Sequence, residues 1–149
     1  MNIQQHFKEL LKLLENNSVE YVIVGGYAVA FYGYPRFTKD LDIFFKNADE
    51  NIAKLRKSLI EFGFSEQDIP EDLFKEPGNV LQFGISPLQV DILNEIDGVT
   101  FDEAFSHLKR GRYGEIEVNF IGKVELLKNK ETSGRPQDLL DKDKLDQRQ

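Results

Sequence analysis

Apolar residues recur at helical spacing in the first part of the chain and then change to short continuous runs. The first pattern, over residues 2–16, places leucines three or four positions apart and predicts an amphipathic helix. Two apolar runs follow, and they predict strands at 20–24 and 39–45 with a small helix at about 26–33 between them. A second helical pattern covers 49–62 and ends at a glycine. Helices and strands therefore alternate here.

The second half of the chain predicts strands that pair as hairpins. Apolar runs at 80–85 and 88–93 predict two strands that turn at Ser86-Pro87. The acidic stretch 65–78 predicts a loop with one helical turn, because it contains two prolines and a glycine. The remaining predicted elements are a helix at 101–108, a hairpin of 112–113 with 115–120, and closing helices at 123–132 and 136–145.

This order of elements predicts an α/β (α+β) fold. We expect a small mixed β-sheet with helices packed mainly on one face and a cleft on the other. The chain has 149 residues, 40% of them hydrophobic, which is enough for one core. We therefore expect a single domain over 1–149, with a sheet core at about 19–122 and C-terminal helices at about 123–146.

Two acids interrupt the second predicted strand. Asp40 and Asp42 occupy alternate positions, so their side chains should point to the same side, about 6.5 Å apart at the backbone. Leu41, Ile43 and Phe45 should pack on the opposite face. Carboxylates this close repel each other unless a cation lies between them. The pair is either a surface pair neutralised by a nearby basic residue or part of a cation site.

A third acid lies inside another apolar strand. Asp91 is flanked by Val90 and Ile92, which should face the core, so Asp91 should face away from it with Gln89. An acid in an apolar strand is costly without a partner. Asp91 is therefore either a salt-bridged strand residue or a third ligand. Three carboxylates suit hard cations such as Mg²⁺ or Mn²⁺, and Mg²⁺ usually shares its shell with substrate phosphates.

The order of these features resembles a known superfamily. Gly25-Gly26, then Asp40-Leu41-Asp42, then Asp91 is similar to the signature of DNA polymerase β-type nucleotidyltransferases. The minimal bacterial branch is more similar still, and it includes toxin-like enzymes of abortive-infection and toxin–antitoxin systems. The resemblance covers about 19–143. Between the glycines and the acids, that branch has small residues, a glycine and an Arg-x-Thr, which correspond here to Ala28, Ala30, Gly33, Arg36 and Thr38.

The resemblance implies an Mg²⁺-dependent nucleotidyltransferase that moves a nucleoside monophosphate from a nucleoside triphosphate to a hydroxyl acceptor. Asp40, Asp42 and Asp91 would be the catalytic residues and the ligands of Mg²⁺ or Mn²⁺. The alternative is a non-catalytic module that retains the fold and binds nucleotide or protein. The residues expected to contact the triphosphate are Gly25, Gly26, Arg36, Thr38 and Lys130.

Each of these phosphate contacts also has a simpler interpretation. Gly25-Gly26 could be an ordinary turn from strand to helix, and Arg36 a salt-bridge partner of the neighbouring acids. Thr38 either orients an acid or favours the strand, and Lys130 is by default a helix-surface lysine. Arg135 and Asp138, part of a further motif of the branch, are expected to pair with each other.

One position departs from much of the superfamily. Many members have Gly-Ser where this chain has Gly25-Gly26, and a glycine has no hydroxyl for a phosphate. The double glycine resembles the minimal branch, so it does not indicate an inactive protein. It assigns phosphate binding to backbone N–H groups at the turn.

The acceptor and any protein partner remain open at this stage. RNA, a protein and a small molecule such as an aminoglycoside are all candidates. The chain is short for small-molecule modification, because it lacks an obvious separate substrate domain. A toxin-like enzyme would have a cognate antitoxin as its partner.

Charge and composition narrow the function classes. A net charge of −7 argues against broad binding to nucleic acid, which needs a basic surface. The run Lys109–Arg112 is either a local basic patch or a solvated turn. The chain has no cysteine, which excludes disulfides and thiolate chemistry. The polar N-terminus does not resemble a signal peptide, and the apolar run 21–34 is too short to span a membrane, so we expect a cytoplasmic protein without membrane association.

Overall fold

A six-stranded sheet lies at the centre of the protein in the computed structural model, which describes residues 3–35, 38–84 and 88–147. β-Branched and aromatic residues make up most of the apolar part of its central strands β1 and β2, and these residues are buried. Its strands are β1 (Tyr21–Val24), β2 (Asp40–Phe45), β3 (Val80–Phe83), β4 (Gln89–Leu93), β5 (Lys109–Tyr113) and β6 (Ile116–Phe120). They follow the spatial order β3-β4-β2-β1-β6-β5.

The sheet is mixed, as predicted. β2 runs antiparallel to β1 and parallel to β4, and β1 runs parallel to β6. The two outer pairs, β3 with β4 and β5 with β6, are antiparallel. Because β4 lies next to β2, the strands that carry the predicted acids are direct neighbours.

The described residues include seven helices, several of which pack directly against the strands. The amphipathic patterns predicted for α1 and α3 place most of their apolar residues in the common core, but Ile60 of α3 is 38% exposed. The stretch 65–78 contains a 3₁₀ turn and a short helix, rather than one helical turn in a loop. The helices are α1 (Ile3–Asn16), α2 (Gly25–Phe31), α3 (Asp49–Phe62), α4 (Glu71–Lys75), α5 (Phe101–Ser106), α6 (Lys123–Ser133) and α7 (Pro136–Asp146).

Core packing covers most of β2 but leaves the start of the strand uncovered on one face. Leu41, Ile43 and Phe45 are buried on one face, where the Phe45 ring meets a phenylalanine of α4. The opposite face is also covered farther along, because Phe44 packs edge-on against Phe101 of α5. The start of β2 is therefore the part of this face that is left for a cleft.

The basic run predicted as a turn or a patch is strand β5. Arg110 bonds Asn119 of β6 at 2.8 Å and pairs with Glu15 of α1 at 3.0 Å. Gly111 leaves space for the ring of Phe31, since an added Cβ would lie 2.3 Å from that ring. Glu15 thus partly neutralises Arg110, but 45% of the Arg110 side chain is exposed, so the basic patch stays a prediction.

Most other predicted elements are confirmed to within two residues at each end. The proposed turn at Ser86-Pro87 lies outside the described residues. In the part of the chain that the structure describes, no helix is both long enough and apolar enough to cross a bilayer.

Candidate active site

The sheet register brings the predicted acids together. Asp42 of β2 lies opposite Asp91 of β4 on one side and opposite Val24 of β1 on the other. Asp40 lies opposite Gln89, whose side-chain amide donates to Asp91 Oδ1 at 2.8 Å. Asp42 and Asp91 thus form a row across two parallel strands, with Asp40 at its edge.

A cavity of about 450 Å³ opens over this row of acids. Its lining includes the phosphate-contact residues of the sequence prediction, except that Arg36 lies outside the described residues. The predicted residues in the lining are Gly25, Gly26, Thr38, Asp40, Asp42, Asp91 and Lys130. The structure therefore gathers residues from four elements and one loop at one place.

Gly25 allows the chain to pass directly over Asp42. Strand β1 ends and α2 begins there, with Gly25 at φ +70° in the left-handed region. A Cβ at this position would lie 2.1 Å from Asp42 Oδ2. Both the turn and the close approach to the carboxylate therefore require glycine.

Replacing Gly25 by alanine is expected to destabilise the protein by about 1–3 kcal/mol and to displace the Asp42 carboxylate. We expect nucleotide binding to fall with it, measured by chemical denaturation and by nucleotide titration. Gly114→Ala is the matched control, because Gly114 has φ +65° but its added Cβ meets only the flexible Lys8 side chain. Equal loss of nucleotide binding in both variants would show that contact with Asp42 is unimportant.

The position of the Thr38 side chain explains why residue 26 is a glycine and not a serine. A Cβ on Gly26 would lie 2.7 Å from Thr38 Oγ1, so a serine there would collide with the threonine. The Thr38 hydroxyl makes long contacts of 3.3 and 3.4 Å with the backbone of Asp40. Thr38 thus contacts the backbone at the start of β2, and it lines the cavity where a serine side chain would otherwise stand.

The acids carry more negative charge than the protein neutralises locally. Burial raises the pKa of Asp42 to about 7, and the neighbouring Asp91 and Asp40 charges add to this, while Lys130 opposes it. A cation between Asp42 and Asp91 would remove the repulsion, and carboxylate oxygens are the ligands that Mg²⁺ prefers. The donor chemistry therefore fits a hard divalent cation.

The predicted set of three carboxylate ligands is not assembled as the side chains stand. Within the described residues, no group of three histidine or acidic side chains is arranged to hold a metal ion. Asp42 and Asp91 fit the role as a pair. Mg²⁺ commonly takes one or two carboxylates and fills its shell with water and phosphate oxygens, so a pair is sufficient.

Lys130 is buried, so its default interpretation as a helix-surface lysine is wrong. Its side chain is 6% exposed, and Nζ lies 2.9 Å from Asp138 Oδ1 and 3.2 Å from Asp141 Oδ2. Helix α7 turns these two acids inward, while Leu139 and Leu140 remain 47% and 44% exposed. An ammonium group is thereby held in the cavity wall opposite the strand acids.

Arg135 and Asp138 pair with each other, as predicted. Arg135 Nε donates to Asp138 Oδ2 at 2.7 Å, and the Ser133 hydroxyl donates to the same carboxylate. Burial alone would raise the pKa of Asp138, but the hydrogen bonds from Ser133, Lys130 and Arg135 outweigh it and lower the pKa to about 2. The pKa of Arg135 is raised by this bond and also by the charges of Asp97 and Asp42.

Sequence reasoning missed several residues that line the cavity. Asn129 and Gln137 flank the Lys130–Asp138 pair along α6 and α7, so their proximity to that motif was the available signal. Asp97 is an exposed loop acid after β4, and no periodicity marks it. Val24, Leu93 and Ile96 complete the apolar part of the wall.

Solved structures with the same fold confirm the predicted architecture. A Thermotoga maritima protein (TM1012), provisionally described as a nucleotidyltransferase, is 15% identical with a TM-score of 0.65, over 97% of this chain and 92% of that one. The lincosamide antibiotic adenylyltransferase LnuA, in a lincomycin-bound structure, is 16% identical with a TM-score of 0.59, over 98% of each chain. No curated protein matches the sequence significantly.

A family model gives the assignment that these distant structures do not. The model described as nucleotidyl transferase of unknown function (DUF2204) matches residues 3–146. This range contains Asp40, Asp42 and Asp91 and also the Lys130–Asp138 pair. The recognition of a nucleotidyltransferase from the glycine pair and the acids is confirmed. The chain belongs to the DUF2204 family of nucleotidyl transferases.

Proposed function

We propose that the protein is a Mg²⁺-dependent enzyme of the cytoplasm that transfers a nucleoside monophosphate from a nucleoside triphosphate to a hydroxyl acceptor. The observation that carries this proposal is the register-matched pair Asp42–Asp91 beneath the Gly25 turn, facing a buried lysine across one cavity. A non-catalytic module would not need two acids held so close that burial and repulsion raise the pKa of one to about 7.

Asp42 and Asp91 would hold the cation, with Asp40 at the edge of the row as a further oxygen donor. When bound, the cation supplies charge stabilisation to the phosphates and to the attacking and leaving oxygens. Mn²⁺ has the same ligand preference and would substitute for Mg²⁺.

The remaining residues of the cavity would bind and orient the triphosphate. Gly25 and Gly26 line the cavity, and their backbone N–H groups would bind phosphate oxygens there. Lys130 has three donors and uses two of them on Asp138 and Asp141, which leaves one for a phosphate. Arg135 is engaged through Nε and is 77% exposed, and its two terminal nitrogens make no hydrogen bond to a described residue, so they would be available to a phosphate.

The transfer itself is a displacement at phosphorus. The acceptor hydroxyl oxygen forms a bond to the α-phosphorus, the bond from that phosphorus to the bridging oxygen breaks, and pyrophosphate leaves. Asp91, which lies opposite Asp42 across the two strands, would accept the hydroxyl proton.

Two acceptor classes give different biological roles. A toxin-like enzyme would modify RNA or protein and would be neutralised by a cognate antitoxin. LnuA matches this chain over 98% of both lengths, and its structure contains bound lincomycin. An enzyme that modifies a small molecule therefore needs no further domain. The shortness of the chain therefore does not argue against a small acceptor. Growth arrest on expression distinguishes the toxin from the small-molecule enzyme.

Binding of a nucleoside triphosphate is expected to raise the melting temperature only when Mg²⁺ is present. At about 100 times Kd, the gain is about 2.7 kcal/mol, or roughly 5–10 °C for a chain of this size. The measurement is a thermal shift with each of the four triphosphates, with Mg²⁺ or with EDTA. A shift that is equal in EDTA would contradict the cation site, and no shift with any triphosphate would favour the non-catalytic alternative.

A further inference from the structure

A second cavity, of about 510 Å³, lies beside the candidate active site. Ile96 and Asp97 line both cavities, so the two cavities adjoin at the segment that follows β4. A volume of this size is in the range that encloses a small organic molecule.

The wall between the cavities is fixed to α6. Ile96 and Val99 form an isolated antiparallel bridge that closes a tight turn at Asp97-Gly98. The Asn129 side chain donates to the Asp97 carbonyl at 2.9 Å, and an added Cβ on Gly98 would lie 2.3 Å from Thr132 Oγ1. Because α6 also carries Lys130, the turn is held at a set position relative to the triphosphate site.

The lining of the second cavity combines an apolar wall with negative charge. Phe44, Val99 and Phe101 provide the apolar surface, and the rings of Phe44 and Phe101 meet edge-on at 5.3 Å. Glu95 and Asp97 provide two exposed carboxylates. Among the described residues of this lining there is no lysine or arginine.

This charge pattern discriminates between acceptors. A polynucleotide would bring phosphates towards Glu95 and Asp97, on a protein whose net charge is already −7. A protonated amine would gain from the same carboxylates, and an adjoining apolar part would contact the Phe101 side of the cavity.

We propose that this second cavity binds the acceptor, and that the acceptor is a small molecule carrying both a hydroxyl group and a protonated amine. The inference rests on the nucleotidyl transfer proposed above. The amine lies between Glu95 and Asp97, and the hydroxyl points past Ile96 towards Asp91. Its oxygen replaces the bridging oxygen on the α-phosphorus, its proton passes to Asp91, and pyrophosphate leaves with the bridging oxygen.

The test uses the full chain with Mg²⁺ and the four ribonucleoside triphosphates labelled at the α-phosphate. A bacterial extract is first separated into RNA, protein and small molecules, and the small molecules are divided by cation exchange at pH 7 into retained and unretained fractions. We expect label to transfer to the retained, cationic fraction. Kanamycin and methyl glucoside serve as defined probes of hydroxylated molecules with and without amines.

Two variants connect the transfer to the second cavity. With the retained fraction as acceptor, Glu95→Gln and Asp97→Asn are each expected to raise the half-saturating acceptor concentration about tenfold. Glu95 lines only the second cavity, so Glu95→Gln should also leave nucleotide affinity nearly unchanged. Asp97→Asn keeps the backbone carbonyl that bonds Asn129, so the turn stays in place. Glu50→Gln on α3, outside both cavities, is the control and should behave as the wild type.

The outcomes separate the acceptor from the underlying activity. Label in RNA, in protein or in the unretained fraction overturns the acceptor inference while supporting nucleotidyl transfer. No label in any fraction, although a Mg²⁺-dependent thermal shift with a triphosphate is present, also overturns it. If the thermal shift is absent as well, the proposed function fails and the acceptor inference fails with it.

Discussion

Asparagine in place of Asp42 is expected to slow nucleotidyl transfer about 100- to 1,000-fold and to make the metal-free protein more stable. Asp42 lies in the acid row next to Asp91, so under the proposed function its loss removes a cation ligand. Asparagine keeps the shape of the side chain, removes its charge and can donate to Asp91. The relief of burial and repulsion, which raise the pKa of Asp42 to about 7 from 3.8, corresponds to a gain of about 2–4 kcal/mol above pH 7.

The same pKa shift predicts how the stability of the metal-free protein changes with pH. Above pH 3.8 the unfolded chain loses the Asp42 proton, while the folded protein keeps it until about pH 7. The folded state binds more protons in this window, so the Asp42 contribution to the free energy of unfolding falls as pH rises and levels off above pH 7. Asp42→Asn should remove this contribution, and Mg²⁺ should reduce it in the wild type.

Urea denaturation in EDTA between pH 4 and pH 8, together with transfer assays in Mg²⁺, measures both effects. Asp68→Asn in the 3₁₀ turn is the control, because Asp68 is exposed and outside the cavity. Wild-type transfer rates in Asp42→Asn would exclude Asp42 as a cation ligand. A less stable Asp42→Asn protein at pH 8 would show that Asp42 is not electrostatically crowded.

Methionine in place of Lys130 is expected to destabilise the protein by about 3–5 kcal/mol and to abolish nucleotide binding. The substitution leaves Asp138 and Asp141 buried, with 6% and 0% of their side chains exposed, and without the ammonium group between them. Removing one member of a buried ion pair is strongly destabilising, even though Ser133 and Arg135 still bond Asp138. The triphosphate would also lose the positive group in the cavity wall.

Lys128→Met on the same helix is the matched control for stability. Lys128 pairs with Glu103 at 3.5 Å, but its side chain is 54% exposed, so the expected loss is below about 1 kcal/mol. Combining Lys130→Met with Asp138→Asn and Asp141→Asn should restore much of the stability but not nucleotide binding. If Lys130→Met unfolds at the same urea concentration as Lys128→Met, the buried network does not stabilise the fold.

The parts of the fold that the sequence predicted well have strong periodic patterns. Strand β2 alternates acids with Leu41 and Ile43, and α3 repeats its apolar residues at helical spacing, so each was placed almost to the residue. The predicted strand at 112–113 was shorter than β5 (Lys109–Tyr113), because the polar residues of β5 give no apolar alternation. It is an edge strand, and Gly111 lies under the Phe31 ring, which a local pattern does not show.

The candidate site was predictable where residue type and spacing pointed to the same role. It was less predictable where the role depends on whether a side chain is buried. The acids of β2 and β4 were identified because a charge inside an apolar strand is conspicuous. Lys130 was misplaced because its partners lie on another helix, and α7 buries Asp138 while leaving Leu139 half exposed. Asp97 was missed because an exposed acid in a loop has no pattern around it.

During translation, Asp42 and Asp91 are synthesised well before Lys130, a positive residue in the same cavity wall. Asp42 and Asp91 emerge with β2 and β4, whereas Lys130 comes later and is fixed only when α7 supplies Asp138 and Asp141. We expect the acids of a nascent chain on the ribosome to lack a fixed arrangement until α7 has left the exit tunnel. Nucleotide binding should therefore begin only after that helix has docked, which keeps an unfinished chain from acting on its substrates.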